Sequence, residues 1–135
     1  MLATYFALGL LYAVNALAGE AYHRQAFSQP NVALQLLYAI RAESVFPLAS
    51  YIRKQPAMYH AVLDRIPPQI ALIEINRALA GAPDDGMLLF WRAVQLMRAG
   101  DYRTARKAVD RLRVLLPEWA LTRSAEALLE EGPDE

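Results

Sequence analysis

The residues of this 135-residue chain whose types and spacing could do chemistry are Glu20 and His23, a carboxylate and an imidazole three positions apart. On a helix this spacing turns both side chains to one face, where they could bind a metal ion. A di-iron site of that kind needs a second such pair and two further carboxylates, which are not evident in the sequence. The pair directly follows an uncharged segment, residues 2–19, and polar residues at the end of a membrane anchor would explain it without a metal. We therefore expect no metal site and no cofactor.

Other catalytic constellations are also missing from the sequence. The chain has no cysteine, which excludes disulfides, thiolate zinc sites and a cysteine nucleophile. It has two histidines, no serine or lysine in a nucleophile motif, and no glycine-rich phosphate loop. The formal net charge is zero, so no overall field favours nucleic acid. These observations predict a protein that is not an enzyme and does not bind nucleic acid.

The N-terminal segment carries no charged side chain from residue 2 to residue 19. As a helix it would span roughly 27 Å at 1.5 Å per residue, close to the hydrocarbon core of about 30 Å. Three interpretations compete: a membrane anchor over residues 1–26, a cleaved signal peptide ending near Ala16-Leu17-Ala18, and a helix buried in protein. A domain this small could hardly cover a helix that is apolar on every face. The sequence therefore favours a transmembrane helix that contacts lipid through residues 2–19.

The remaining chain is divided by proline and glycine into segments with helical periodicity, and no segment alternates with the period of a strand. We predict an all-α fold, with a helical domain over residues 27–131 and an acidic tail at 132–135. The predicted helices are 30–46, 55–64, 69–80, 86–98, 102–116 and 118–130.

Two stretches of the helical domain align when the chain is shifted against itself by 34 residues. The shift places Ala71 on Ala105, Ile75 on Val109, Arg77 on Arg111 and Pro83 on Pro117. This period is the length of a tetratricopeptide unit, a pair of helices that stacks on its neighbours. Residues 88–117 resemble such a unit, and the matching positions are Leu89, Ala93, Leu96, Gly100, Asp101, Tyr102, Ala105 and Pro117. The preceding unit matches mainly in its second helix, so the resemblance implies a short tetratricopeptide-like repeat domain.

Tetratricopeptide stacks bind extended peptides or partner helices on the face built by the first helix of each unit. Carried over by position, the resemblance implies a partner-binding groove made by His60, Leu63, Phe90, Val94, Met97 and Arg98. Methionine and aromatic residues at helical spacing are also typical of a core, and the sequence leaves both interpretations open. Trp91 and Trp119 are the candidate exposed aromatic residues, because a large exposed apolar patch often marks a partner contact.

A basic stretch follows the first helix of the better-matched unit, with six basic and two acidic residues between positions 98 and 113. It is either a patch for an anionic partner or a solvated face with internal pairs, such as Asp110 with Arg106 or Lys107. The acidic residues from 126 to 135 are either a frayed tail or a segment that folds back onto this face.

The order of the parts resembles the C-terminal end of bacterial O-antigen ligase and polymerase membrane proteins. The resemblance rests on residues 39–59, AIRAESVFPLASYIRKQPAMY, which lie between the apolar helix and the repeat-like helices. The resemblance implies a single-pass protein of the bacterial inner membrane with a periplasmic helical domain, although Arg24 alone favours the cytoplasmic side. No catalytic residue carries over, because the glycan-transfer residues of that family lie upstream.

The function predicted from the sequence is a non-catalytic, membrane-anchored scaffold or accessory subunit. Its expected partners are protein subunits of a membrane complex. The alternative is the tail domain of an O-antigen ligase or polymerase without its catalytic part.

Overall fold

The structure is a computed structural model that describes residues 2–47, 49–63 and 65–132. The described residues form seven α-helices and no strand, which confirms the predicted all-α class. The helices are α1 (Leu2–Ser28), α2 (Val32–Val45), α3 (Ser50–Val62), α4 (Pro68–Gly81), α5 (Gly86–Arg98), α6 (Tyr102–Leu115) and α7 (Ala120–Glu130). The chain divides into two compact units, Met1–Tyr59 and His60–Glu135, and the division falls within α3.

Several helix ends follow from side chains that cap free backbone amides. Asn31 Oδ1 accepts a hydrogen bond from Ala33 N at 2.7 Å, and α2 starts at the next residue, Val32. Asp85 and Asp101 make the equivalent bonds at the starts of α5 and α6, to the amides three residues ahead. Because such bonds satisfy amides that the helix itself cannot pair, these residues set the starting positions. The predicted bounds of α5 and the predicted start of α6 are confirmed.

The third helix differs most from its predicted bounds. The sequence predicts a short helix from Gln55 to Asp64. In the structure α3 begins five residues earlier and carries Pro56 in its interior. The Pro56 side chain is fully buried, so packing in the core offsets the lost hydrogen bond. Asp64, the predicted last residue, lies outside the described residues.

The first unit is built on close packing between α1 and α2. A Cβ added to Gly19 of α1 would lie 2.6 Å from Phe46 Cβ and 3.4 Å from the Ala42 carbonyl oxygen. Ala42, Phe46 and Ile52 form the buried core beside this contact. Glycine at position 19 therefore allows the two helices to approach each other.

The transmembrane helix predicted over residues 1–26 is not supported by the structure. Among the residues that are described, no helix combines the length and the hydropathy needed to cross a membrane.

The second unit is centred on α5, which packs against α4, α6 and α7, while α7 also packs against α6. The turn between α5 and α6 is closed by two hydrogen bonds, from Asp101 N to Leu96 O at 2.9 Å and from Gly100 N to Met97 O at 3.0 Å. Gly100 has a φ of 80°, which favours glycine because it has no Cβ. This turn brings α6 directly back along α5.

Residues that correspond across the 34-residue shift have the same burial in the structure. Ala71 and Ala105 are both fully buried, and Ile75 and Val109 are both in the core. Arg77 and Arg111 are both exposed. The 34-residue period of the sequence therefore corresponds to a period in which side chains are buried and which are exposed.

Candidate partner-binding cavity

Three of the predicted groove residues lie together around one cavity in the second unit. The cavity has a volume of about 310 Å³, and Val94, Met97 and Arg98 form its α5 wall. These residues are three and four positions apart, so the helix turns them to the same face. The other lining residues are Tyr102, Leu128, Glu131 and Gly132.

Arg98 is oriented by a buried glutamine in the same helix. Its Nη1 donates to Gln95 Oε1 at 3.0 Å, and Gln95 Nε2 donates to the Ala61 carbonyl oxygen at 2.9 Å. Ala61 lies in the last turn of α3, where carbonyl oxygens have no partner within the helix. Gln95 therefore caps α3 and holds the guanidinium at the cavity at the same time.

Tyr102 and Gly132 close the opposite side of the cavity. A Cβ added to Gly132 would clash with the Tyr102 ring, so the ring packs directly on the glycine backbone. Sequence reasoning placed Tyr102 in the repeat pattern and assigned no residue of α7 to the groove. It therefore missed Leu128 and Glu131, which reach the cavity because α7 packs on α5.

The other predicted site residues lie elsewhere. Phe90 is buried in the core and makes an edge-to-face contact with Trp91, with ring centroids 5.3 Å apart. His60 and Leu63 are half-buried, and neither belongs to the lining of this cavity. Trp91 and Trp119 are not exposed as predicted: each is half-buried and packs against the core of the second unit.

The cavity combines apolar walls with two charged residues. Its walls are apolar at Val94, Met97 and Leu128, and Arg98 and Glu131 bring opposite charges to it. An apolar side chain can occupy such a cavity while polar groups of the same ligand meet the charged residues.

The carboxylate and imidazole at positions 20 and 23 have other contacts. Glu20 accepts hydrogen bonds from Arg24 Nε at 3.1 Å and from the Tyr51 hydroxyl at 2.9 Å. These bonds, that of Arg24 first, lower the pKa of Glu20 below its ordinary value. The His23 ring packs edge-to-face with Phe27 and Tyr51, at 5.1 Å in each case. Within the described part of the chain, no group of three or more histidine, aspartate or glutamate side chains could hold a metal ion.

The basic face of α6 is matched by acidic residues. Arg111 pairs with Asp84 at 2.6 Å, and Arg113 pairs with Asp110 at 2.7 Å, rather than the Asp110 pairs expected with Arg106 or Lys107. Glu126 and Glu130 of α7 line one cavity with Arg106 and Arg113. The beginning of the acidic segment thus lies against the basic face. Beyond Gly132, the predicted tail lies outside the described residues.

Comparisons with known proteins find no family model that matches this chain and no matching curated protein. The resemblances to tetratricopeptide repeats and to O-antigen ligases rest on their matching residues and stay predictions.

Proposed function

We propose that this chain is a non-catalytic accessory subunit of a bacterial inner-membrane assembly and holds a partner protein in the cavity beside α5. The observation that carries the proposal is that Val94, Met97 and Arg98, which the repeat pattern assigns to a groove, line one cavity. The ligand is a partner helix or an extended segment with an apolar anchor residue flanked by polar groups. The anchor enters between Met97 and Leu128.

The cavity is ordered before a partner binds. Gln95 holds Arg98 through a hydrogen bond, and the Gly132 backbone supports the Tyr102 ring. Side chains that are already in place lose less conformational entropy on binding, so more of the contact energy appears as affinity.

The membrane part of the proposal rests on the first half of α1. Its large apolar side chains are between 53% and 73% exposed at Leu8, Leu10, Leu11, Tyr12, Val14 and Leu17. At about 100° per residue these positions are spread over more than half of the helix circumference, which is wider than the apolar stripe of an ordinary amphipathic helix. Residues 2–19 carry no charge to oppose lipid contact. We assign this segment to the membrane, with the helical domain in the periplasm as the resemblance implies.

Site-specific photo-crosslinking in cells of the source bacterium tests partner binding. A photoreactive residue at Met97 should give one discrete crosslinked product with a partner protein. The matched control is Val114 of α6, which is 73% exposed and does not line the cavity. Equal products at both positions, or none at Met97, would contradict the proposal.

Alkaline carbonate extraction tests the membrane part separately. The unaltered chain should stay in the membrane pellet, and the double substitution Leu10→Asp/Val14→Asp should release it, because a charge near the bilayer centre costs about 3 kcal/mol. Release of the unaltered chain would remove the anchor from the proposal and leave the cavity as a separate question.

A further inference from the structure

A second cavity lies in the first unit and has no part in the proposed function. Its volume is about 460 Å³, and it lies between the end of α1 and the middle of α3. Ligand pockets for small molecules have volumes of about 300–1,000 Å³ and mostly apolar walls with a few polar groups. The lining here is of that kind and consists of His23, Phe27, Tyr51, Lys54, Gln55, Met58 and Tyr59.

The aromatic wall of this cavity is held by contacts among its own residues. The His23 ring lies edge-to-face with Phe27 at an interplanar angle of 87° and with Tyr51 at 76°. The Tyr51 hydroxyl donates to Glu20 Oε2 at 2.9 Å, which fixes the far end of that side chain. A ligand would therefore meet a wall that needs little rearrangement.

Two buried polar atoms of the lining residues have no hydrogen-bond partner, Gln55 Oε1 and His23 Nδ1. The Gln55 side chain belongs to a residue that is only 7% exposed. Leaving a buried acceptor unpaired costs about 1–3 kcal/mol, and nearly all such atoms in proteins are paired by protein, water or ligand. A group that donates an N–H or O–H hydrogen bond would remove this cost.

We propose that this cavity binds a small neutral molecule with a flat apolar body and an N–H or O–H donor. The body lies along the His23 and Tyr51 rings, and the Gln55 amide turns its Oε1, which is buried in the unliganded chain, towards the donor. A carboxylate ligand is disfavoured because it brings only acceptors to the glutamine oxygen.

Burial of the tyrosine on the α3 side agrees with an apolar site. Desolvation raises the pKa of Tyr59 above its ordinary value, so its hydroxyl stays neutral. This environment favours an uncharged ligand for the same reason that it disfavours the phenolate.

Indole is a suitable probe because it is flat, apolar and neutral, and it carries one N–H donor. 1-Methylindole is the matched probe without the donor. With the full chain labelled at its methionine methyl groups, indole should shift the NMR signal of Met58, which lines this cavity. The signal of Met97, which lines the other cavity, should not move. Indole should bind about tenfold more tightly than 1-methylindole.

The substitution Gln55→Leu tests the donor contact. It should reduce the preference for indole to less than twofold while both probes still bind. The melting temperature of Gln55→Leu is measured beside that of the unaltered chain, so that a loss of folding is distinguished from a loss of the donor contact. Gln69→Leu, at an exposed glutamine of α4, is the control and should keep the tenfold preference. No shift at Met58, equal binding of the two probes, or a preference that survives Gln55→Leu would each overturn the proposal.

Discussion

Two glycines of α1, Gly9 and Gly19, should respond in opposite directions to replacement by alanine. An added Cβ at Gly19 would lie 2.6 Å from Phe46 Cβ, well inside van der Waals contact. At Gly9 an added Cβ meets no atom within 4 Å. Both glycines lie inside the same helix, so the two substitutions have the same intrinsic effect on helix formation and differ in packing.

The expected magnitudes follow from these two terms. Alanine is favoured over glycine inside a helix by about 0.5–1 kcal/mol. Overpacking a close contact costs about 1–3 kcal/mol. At Gly19 the clashing Phe46 atom is a Cβ, which cannot move without its backbone, so the packing cost dominates. We expect Gly19→Ala to lower the free energy of unfolding of the first unit by roughly 1 kcal/mol. Gly9→Ala should raise it by about 0.5–1 kcal/mol, which is the helix-propensity term alone.

Hydrogen exchange measured by mass spectrometry on the full chain can separate the two effects. Peptides that cover α2, residues 32–45, report the local opening of the packed pair. Their protected amides should exchange roughly fivefold faster in Gly19→Ala, since a loss of 1 kcal/mol is a factor of about five. In Gly9→Ala they should exchange no faster than in the unaltered chain. Unchanged exchange in Gly19→Ala, or faster exchange in Gly9→Ala, would refute the close approach of α1 and α2 at Gly19.

Three further predictions concern capping residues. Gln95→Leu leaves the buried Ala61 carbonyl oxygen unpaired and should destabilise the second unit by about 1–2 kcal/mol. Urea unfolding followed by tryptophan fluorescence measures this change, and a stability equal to that of the unaltered chain would show that the hydrogen bond contributes nothing. Asn31→Ala should destabilise α2 by about 1 kcal/mol, seen as faster exchange in its first turn and not in its last. Hydrogen bonds from Thr104 lower the pKa of Asp101 in the folded chain. The Asp101 carboxylate therefore stabilises the fold fully above its unfolded pKa, near pH 4. This contribution is lost as the pH falls through the lower folded pKa. Asp101→Asn keeps the cap without titrating, so its melting temperature should fall less between about pH 5 and pH 2 than that of the unaltered chain; equal falls would contradict this assignment.

The helix α5 shows where sequence reasoning works. Asp85 can cap the first turn, and Gly100 takes a left-handed conformation just beyond the end, so both boundaries are marked by residues with local effects. The helix α3 shows where it fails. Pro56 is a helix breaker by its own chemistry, but burial of its side chain keeps the helix continuous through it. Local patterns do not register how far the rest of the chain covers a side chain.

The lining of the candidate cavity was likewise predicted only in part. The period of the helix predicts that Val94, Met97 and Arg98 share a face, and they do line one cavity. The same reasoning assigned Phe90 to the groove. In the structure α5 is packed against α4, α6 and α7, and Phe90 lies in the core of the second unit. Periodicity states which residues are neighbours on a helix, but not which of its faces another helix covers.

What the sequence by itself determined is therefore the all-α class, most helix ends and the 34-residue correspondence of buried and exposed positions. Capping bonds, turns and helix breakers act between residues a few positions apart, so their effects can be read along the chain. The tertiary structure alone decided that Gln95 caps α3, that Leu128 and Glu131 complete the cavity, and that the two tryptophans are half-buried against the core. Each of these depends on which helices pack together, because burial removes a side chain from water only when a distant segment covers it.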